Sequence, residues 1–265
     1  MAHLFNTNDY INFGDNDMMD AATELTLVTD VYVSSLVGDH AMLSKEASAS
    51  NRSLIFFYDA AGIGGNERFA AFIQTTSAAD RVETTDTIVV DTWYRVFCRW
   101  SKNTTDGLYI KVMDFNSGQI TKYTDQAPAT TTNANMKTVT SAVRAGDPAL
   151  GGRDMAGGLS NLFLITEVLD PSLDDAMIRS GNYQRFFKKR AEIYAPLNDY
   201  NGTYVENFGT APAGIISNTD AVAGPASARF GPSHRTRWSF KAPAAAGGSE
   251  GAAMYHHLQS IGAYA

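Results

Sequence analysis

The sequence predicts an all-β fold. Most of the first 165 residues fall into short β-branched and aromatic runs, clusters of Asn, Asp, Gly and Ser separate those runs, and one region alone, after residue 170, carries helical signals. The clear strand candidates are Glu24 to Val33, Ser53 to Asp59, Arg68 to Gln74, Thr92 to Ser101, Gly107 to Asp114 and Leu159 to Thr166. In the run from Trp93 to Trp100 both alternating faces carry bulky side chains, so this strand is expected to be covered on both sides. The polar stretch Lys102 to Asp106 between two apolar runs is a hairpin signal. Gly62-Ile63-Gly64-Gly65 lacks the strand-to-helix context of a phosphate loop and reads as another hairpin tip.

Helical expectations begin at Asp170, which can cap, and Pro171, whose fixed φ suits a first turn. Leu173, Met177 and Ile178 are spaced to form one buried face. A second helical segment is predicted from Asn182 to Arg190, with Lys188, Lys189 and Arg190 as a solvated, basic C-terminal end.

Composition narrows the function classes. Hydrophobic residues make up 44% and charged residues 18% of the 265, enough apolar material for a large core. The formal charge of -7 argues against a phosphate-binding surface, so free nucleic acid is not an expected partner. Cys98 is alone, which excludes an intrachain disulfide, and it is expected to be a small buried hydrophobe. The opening residues lack the charged and apolar blocks of a secretory leader, and no stretch reaches the ~20 apolar residues of a membrane span, so synthesis in the cytoplasm and no membrane partner are expected. The acidic groupings Asp15-Asn16-Asp17 and Asp174-Asp175 read as solvated or capping carboxylates, and the neighbouring His256 and His257 make a poor metal site. Residues 226–265 are rich in Pro, Gly and Ala and read as an extended arm. Within it Arg235, Arg237, Trp238 and Phe240 alternate residue types favoured at interface hot spots and are the candidate partner-binding residues.

Read in order, several segments resemble the concanavalin A-like, or laminin-G-like, jelly roll. The opening Phe5-Asn6-Thr7-Asn8-Asp9-Tyr10-Ile11-Asn12-Phe13 is similar to that family's first recognisable run. Leu25 to Val33, Ala41-Met42-Leu43-Ser44-Lys45, Asp91-Thr92-Trp93-Tyr94-Arg95-Val96, Leu108 to Val112 and Gly157 to Ile165 follow in family order, and Leu169 to Met177 echoes the family's short helix. One departure stands out. The strand that usually precedes the opening run is missing there and is echoed late, at Ile193 to Asn207, which implies a circularly rearranged order within one sandwich.

The resemblance implies an all-β, two-sheet antiparallel jelly-roll sandwich over 1–225, with its first family strand supplied at about 192–207, short helices near 171–190, and the arm 226–265. Glycan-cleaving relatives carry paired acidic residues on one strand, and that spacing is absent, so no enzyme activity is expected. No cofactor is expected either. Calcium is the family's usual ion, but its rim loop would fall at Glu206-Asn207-Phe208-Gly209, where the pattern is degraded. A family that works outside cells, in a chain with no leader and no disulfide, points to a phage virion. The expected function is therefore a capsid, head-fibre or tail decoration protein that docks through its arm on other virion proteins or on copies of itself. A soluble carbohydrate-binding module facing host-surface glycans is the alternative, and a glycan hydrolase or lyase is a third reading.

Overall fold

A computed structural model describes residues 3–5, 8–15, 17–48, 50–59, 67–85, 88–124, 130–147, 152–197 and 204–217. The strands, in chain order, are β1 (His3–Phe5), β2 (Tyr10–Asn12), β3 (Glu24–Val33), β4 (His40–Ser48), β5 (Asn51–Asp59), β6 (Arg68–Gln74), β7 (Ala79–Glu83) and β8 (Thr92–Ser101). They continue with β9 (Leu108–Asp114), β10 (Ile120–Tyr123), β11 (Val143–Gly146), β12 (Gly157–Ile165), β13 (Ile193–Ala195), β14 (Tyr204–Val205) and β15 (Gly214–Ser217). Two antiparallel sheets result. The first has the order β1-β12-β3-β8-β9-β10, with β13 also on β12, and the second runs β14-β15-β2-β11-β4-β5-β6-β7. This is the antiparallel sandwich the sequence predicts.

The core lies between the sheets and follows from strand alternation. Leu25, Leu27, Val31 and Val33 of β3 and Val96, Cys98 and Trp100 of β8 meet Leu54, Phe56 and Tyr58 of β5 and Phe69, Ala71 and Ile73 of β6. Cys98 is fully buried there, and burial pushes its thiol far above the ordinary range, which keeps it unreactive. One polar link crosses this interior: the Trp100 indole donates to Asp80 Oδ2 at 2.7 Å, and Asp80 also accepts from the Thr132 hydroxyl at 2.6 Å. A buried indole N–H is thereby satisfied rather than stranded.

Strand β13 pairs antiparallel with Leu162–Leu164 of β12, while β1 pairs antiparallel with Gly157–Leu159 of the same strand. Since β3 occupies the other edge of β12, β13 and β1 share one edge and run in the same direction, end to end. Strand β15 adds to β2 in the second sheet. The connection between β5 and β6, which contains the predicted tip Gly62 to Gly65, lies outside the described residues.

Part of the outer face of the first sheet is covered. Val28, Phe97, Tyr109, Phe163 and Tyr194 pack against Met177 and Ile178 of the helix α1 (Asp174–Ser180) and against Tyr183 and Phe187. This gives β8 the two buried faces its composition predicts. Asp170 caps a 3-10 turn, Pro171–Leu173, by accepting the Ser172 N–H. Three expectations are corrected here. Leu173 sits in that turn and is exposed, so Met177 and Ile178 alone face the sheet. The segment from Asn182 to Arg190 forms only one 3-10 turn, Gln184–Phe186, because Phe187 adopts an extended backbone to bury its ring beside Phe163. Lys188, Lys189 and Arg190 are exposed as expected, but they end no helix, and the Lys189 ammonium pairs with Glu192 at 2.5 Å.

Beneath α1, Arg95 of β8 and Asp30 of β3 are cross-strand neighbours and form a buried two-pronged ion pair, Nε to Oδ1 at 2.6 Å and Nη2 to Oδ2 at 2.9 Å. Asn161 Nδ2 donates to Asp30 Oδ2 at 2.6 Å, and Arg95 Nη1 donates to the Ile178 carbonyl at 2.6 Å. Burial alone would lower the Arg95 pKa, but the Asp30 carboxylate outweighs it, so the guanidinium stays charged. Removing one partner of such a pair strands the other in a dry site. Arg95→Leu should therefore lower stability by about 3–5 kcal/mol, read as a drop in the urea midpoint, and pairing it with Asp30→Leu should recover part of that loss.

Candidate functional site

No helix among the described residues packs on the outer face of the second sheet, and that face is built differently from the first. In-register pairing lines up one rung of side chains across it: Ile215 of β15, Asn12 of β2, Arg144 of β11, Ser44 of β4, Ile55 of β5, Phe72 of β6 and Arg81 of β7. Their inward-facing chain neighbours, Ile11, Val143, Ala145, Leu54, Ala71, Ile73 and Val82, all belong to the core, which fixes the rung on the outside. Phe57, Ala70 and Glu83 form the next rung. Ile55, Phe57 and Ala70 make a small buried apolar floor with Phe72 packed against it.

Arginines overlie that floor. Arg144 stands over the Tyr10 ring, 4.2 Å from its centroid, and Gly146, opposite Tyr10, presents no side chain to compete. Gly146 must be glycine: its φ is +95°, and a Cβ would meet the Phe5 ring and the Asp9 carbonyl. Arg52 stands over Phe72 at 5.2 Å. It reaches this face because the register slips between Lys45 and Glu46, a bulge that sets Arg52 and Ser53 together against Glu46. Arg153 lies beside Ala41 through its backbone and extends its side chain to Glu46, Nη1 to Oε1 at 3.5 Å. Arg81 pairs with Glu83, and Arg68 approaches the same carboxylate at 4.0 Å.

Polar atoms are left over on this face. The Ser53 hydroxyl, both Glu46 carboxylate oxygens, and the Nε atoms of Arg68 and Arg144 are buried and have no hydrogen-bond partner. Burial raises the Glu46 pKa despite Arg153 and Arg52, and burial lowers that of Arg52. Buried polar groups are normally paired, so a concentration of unpaired ones marks a place where something else completes them.

At one end of the face, the carboxyls of Asp147 and Asp154 hydrogen-bond to each other. Burial first, then the neighbouring Asp154, pushes Asp147 up to about 6.

Other candidate residues have structural work. Asp174, expected to be a solvated or capping carboxylate, is buried. Its carboxylate accepts from the Tyr109 hydroxyl, with Arg99 at 3.5 Å, because α1 presses it onto the first sheet. Asp15 lies 3.5 Å from the Lys45 ammonium, and Asp20 accepts from the same group at 3.0 Å. In the loop where calcium would fall, Asn207 Oδ1 accepts from the N–H groups of Tyr194 and Gly209, and its Nδ2 donates to the Ala211 carbonyl. An amide oxygen so engaged does not fit a calcium ligand, and among the described residues no group of three or more His, Cys, Asp or Glu could hold a metal ion. Arg235, Arg237, Trp238 and Phe240 lie outside the described residues, as do His256, His257 and the whole of 226–265. The arginines of the second sheet were missed in the sequence. Their only signal was a single arginine placed in or at the end of each of several otherwise apolar strands.

No family model matches the sequence, and no curated protein is significantly similar to it. Solved structures do match. A proposed carbohydrate-binding protein from Bacteroides ovatus superposes with a TM-score of 0.58 at 14% identity, covering 85% of this chain and 60% of that one. This chain thus spans somewhat less than two thirds of that relative, and the likeness establishes the shared fold alone. A sialidase carbohydrate-binding module from Ruminococcus gnavus, bound to sialyllactose, gives 0.49 at 12% identity over 67% of this chain and 96% of that one. A pentraxin from Limulus polyphemus gives 0.47 at 15% identity over 81% and 94%. Both fall below the level at which similarity supports an argument.

The raised Asp147 pKa has a stability consequence with a definite sign. Its folded pKa exceeds the ordinary value near 3.9, so the stability it contributes is present below about pH 4 and is lost as pH rises through about 6. Asp147→Asn, which mimics the protonated carboxyl, should leave the denaturation midpoint at pH 3.5 nearly unchanged and raise it at pH 7.

Proposed function

We propose that the chain is a non-catalytic, saccharide-binding module of lectin type, and that its ligand lies across the outer face of the second sheet. The observation that carries this reading is the in-register rung from Asn12 to Arg81, where the polar Asn12, Arg144 and Ser44 give way to the apolar Ile55 and Phe72 and then to Arg81, beside buried donors and acceptors that lack hydrogen-bond partners. A sugar ring presents an apolar face and a rim of hydroxyls. The Tyr10 and Phe72 rings, each with an arginine over one face, offer apolar edges for the first, while Ser53 and the Arg144 and Arg68 Nε groups offer partners for the second. The carbohydrate-binding assignment of the Bacteroides ovatus protein, which shares the fold, is in keeping with this reading.

A rival face is the half-buried pair Tyr32 and Trp93 on the first sheet, whose rings lie 5.5 Å apart with the Tyr32 hydroxyl donating to Asp91 at 2.8 Å. That pair has polar contacts already made and lacks the surplus of unpartnered groups. The virion role expected from the sequence rests on residues 226–265, outside the described residues.

A glycan array followed by calorimetry on the full-length chain tests the proposal. Tyr10→Ala with Arg144→Ala should weaken the best ligand about tenfold or more, with an unchanged melting temperature, whereas Tyr32→Ala with Trp93→Ala should leave affinity within about twofold. Loss of binding only in the second pair would move the site to the other sheet, and no retained glycan would end the proposal.

A further inference from the structure

Resting on the saccharide-binding reading of this face, we infer that the sugar it takes carries a carboxylate, which Arg144 receives. Arg144 is the observation that separates an acidic sugar from a neutral one. It makes no ion pair and no hydrogen bond among the described residues, its Nε is buried, and its guanidinium is held over the Tyr10 ring. The other charged groups of the face divide among themselves: Arg81 and Arg68 share Glu83, and Arg153 takes Glu46 and Asp39. Asp147 feels the charge of Arg144 without forming an ion pair with it. The Arg144 side chain is half-buried and its Nε–H has no acceptor, and a ligand carboxylate is the group that would engage that donor.

The type of cation points the same way. In the strands of the second sheet the one lysine, Lys45, is fully buried against Asp15 and Asp20, away from the outer rung. Every cation that the described strands place on the outer face is therefore an arginine. A guanidinium offers two parallel N–H donors that match a carboxylate, and an aromatic ring beneath it holds the plane so that its edges stay open. Lysine would serve a diffuse attraction to polyanions equally well, but the chain has a net charge of -7, which opposes such attraction at long range. Selection must then come from short-range geometry. Arg144 and Arg81 stand four strand spacings apart in one rung, about 19 Å, a span suited to an oligosaccharide rather than a single sugar.

The test uses the full-length chain in calorimetry with oligogalacturonate, with sialyllactose, with the methyl ester of each, and with neutral oligosaccharides retained on the array. Oligogalacturonate and sialyllactose distinguish a carboxylate repeated along the chain from a single terminal one. The expected result is that at least one acid form binds about tenfold or more tightly than its own ester, and that Arg144→Lys, which keeps the charge and loses the fork, removes about fivefold or more of that preference while Tm is unchanged. Equal affinity for acid and ester, or binding of neutral oligosaccharides alone, would overturn the carboxylate assignment and leave saccharide binding standing. Full retention of the preference in Arg144→Lys would overturn the role given to Arg144. Binding of no saccharide at all would overturn both this inference and the function it rests on.

Discussion

A buried ion pair decides which face of this sandwich is open. Asp30 and Arg95 face each other across β3 and β8, on the outside of the first sheet, where two charges would ordinarily be left in water. Here they are roofed by α1 and by Tyr183, whose ring lies 5.4 Å from the guanidinium, and Arg95 reaches up to hold the Ile178 carbonyl near the helix end. Such a pair gains little net stability over an apolar contact of equal volume, because desolvation offsets most of the attraction. Its effect is positional: the helix has one place to sit, with its apolar residues Met177 and Ile178 against Phe97 and Phe163. With α1 placed on the first sheet in this way, the second sheet is the one whose outer face carries no helix among the described residues.

On that second face the same elementary rule, alternation of side chains along a strand, gives a different product. The inward residues are mostly apolar, with Lys45 and Asp80 as charged exceptions, and the outward ones are a thin apolar floor with long cations over it. Arginine suits this position because its stem packs on Phe72 or Tyr10 while its planar head remains polar. The bulge at Lys45 and Glu46 adds Arg52 and Ser53 to the set, which a regular ladder would have divided between the two faces. Packing and register thus produce a rigid, amphipathic surface on strands, where side-chain positions are better fixed than on loops.

Much of the framework is legible in the chain. The boundaries of β3, β6 and β8 coincide with the runs read from the sequence, because β-branched and aromatic residues there are flanked by turn formers. The late strand at Ile193 pairs with β12 in line with β1, a placement that the echo of an opening motif near residue 193 could suggest. What was not legible depends on tertiary contacts. Nothing local distinguishes Asp174 from Asp175, yet one is pressed between Tyr109 and Arg99 and the other is exposed. The segment after Asn182 has helical spacing, but burying Phe187 outweighs extending the helix. The arginine rung was invisible for a related reason: Arg52, Arg68, Arg81 and Arg144 are far apart in sequence, and only register places them on one side.

The account stands on the claim that ligand contacts the outer face of the second sheet. The most direct measurement is a titration of saccharide into labelled protein, followed through the arginine Nε–Hε resonances and the aromatic side chains. Shifts concentrated at Arg144, Arg68 and Tyr10, with Arg95 unmoved beneath its helix, are the predicted result. Shifts concentrated at Tyr32 and Trp93, with Arg144 silent, would contradict it.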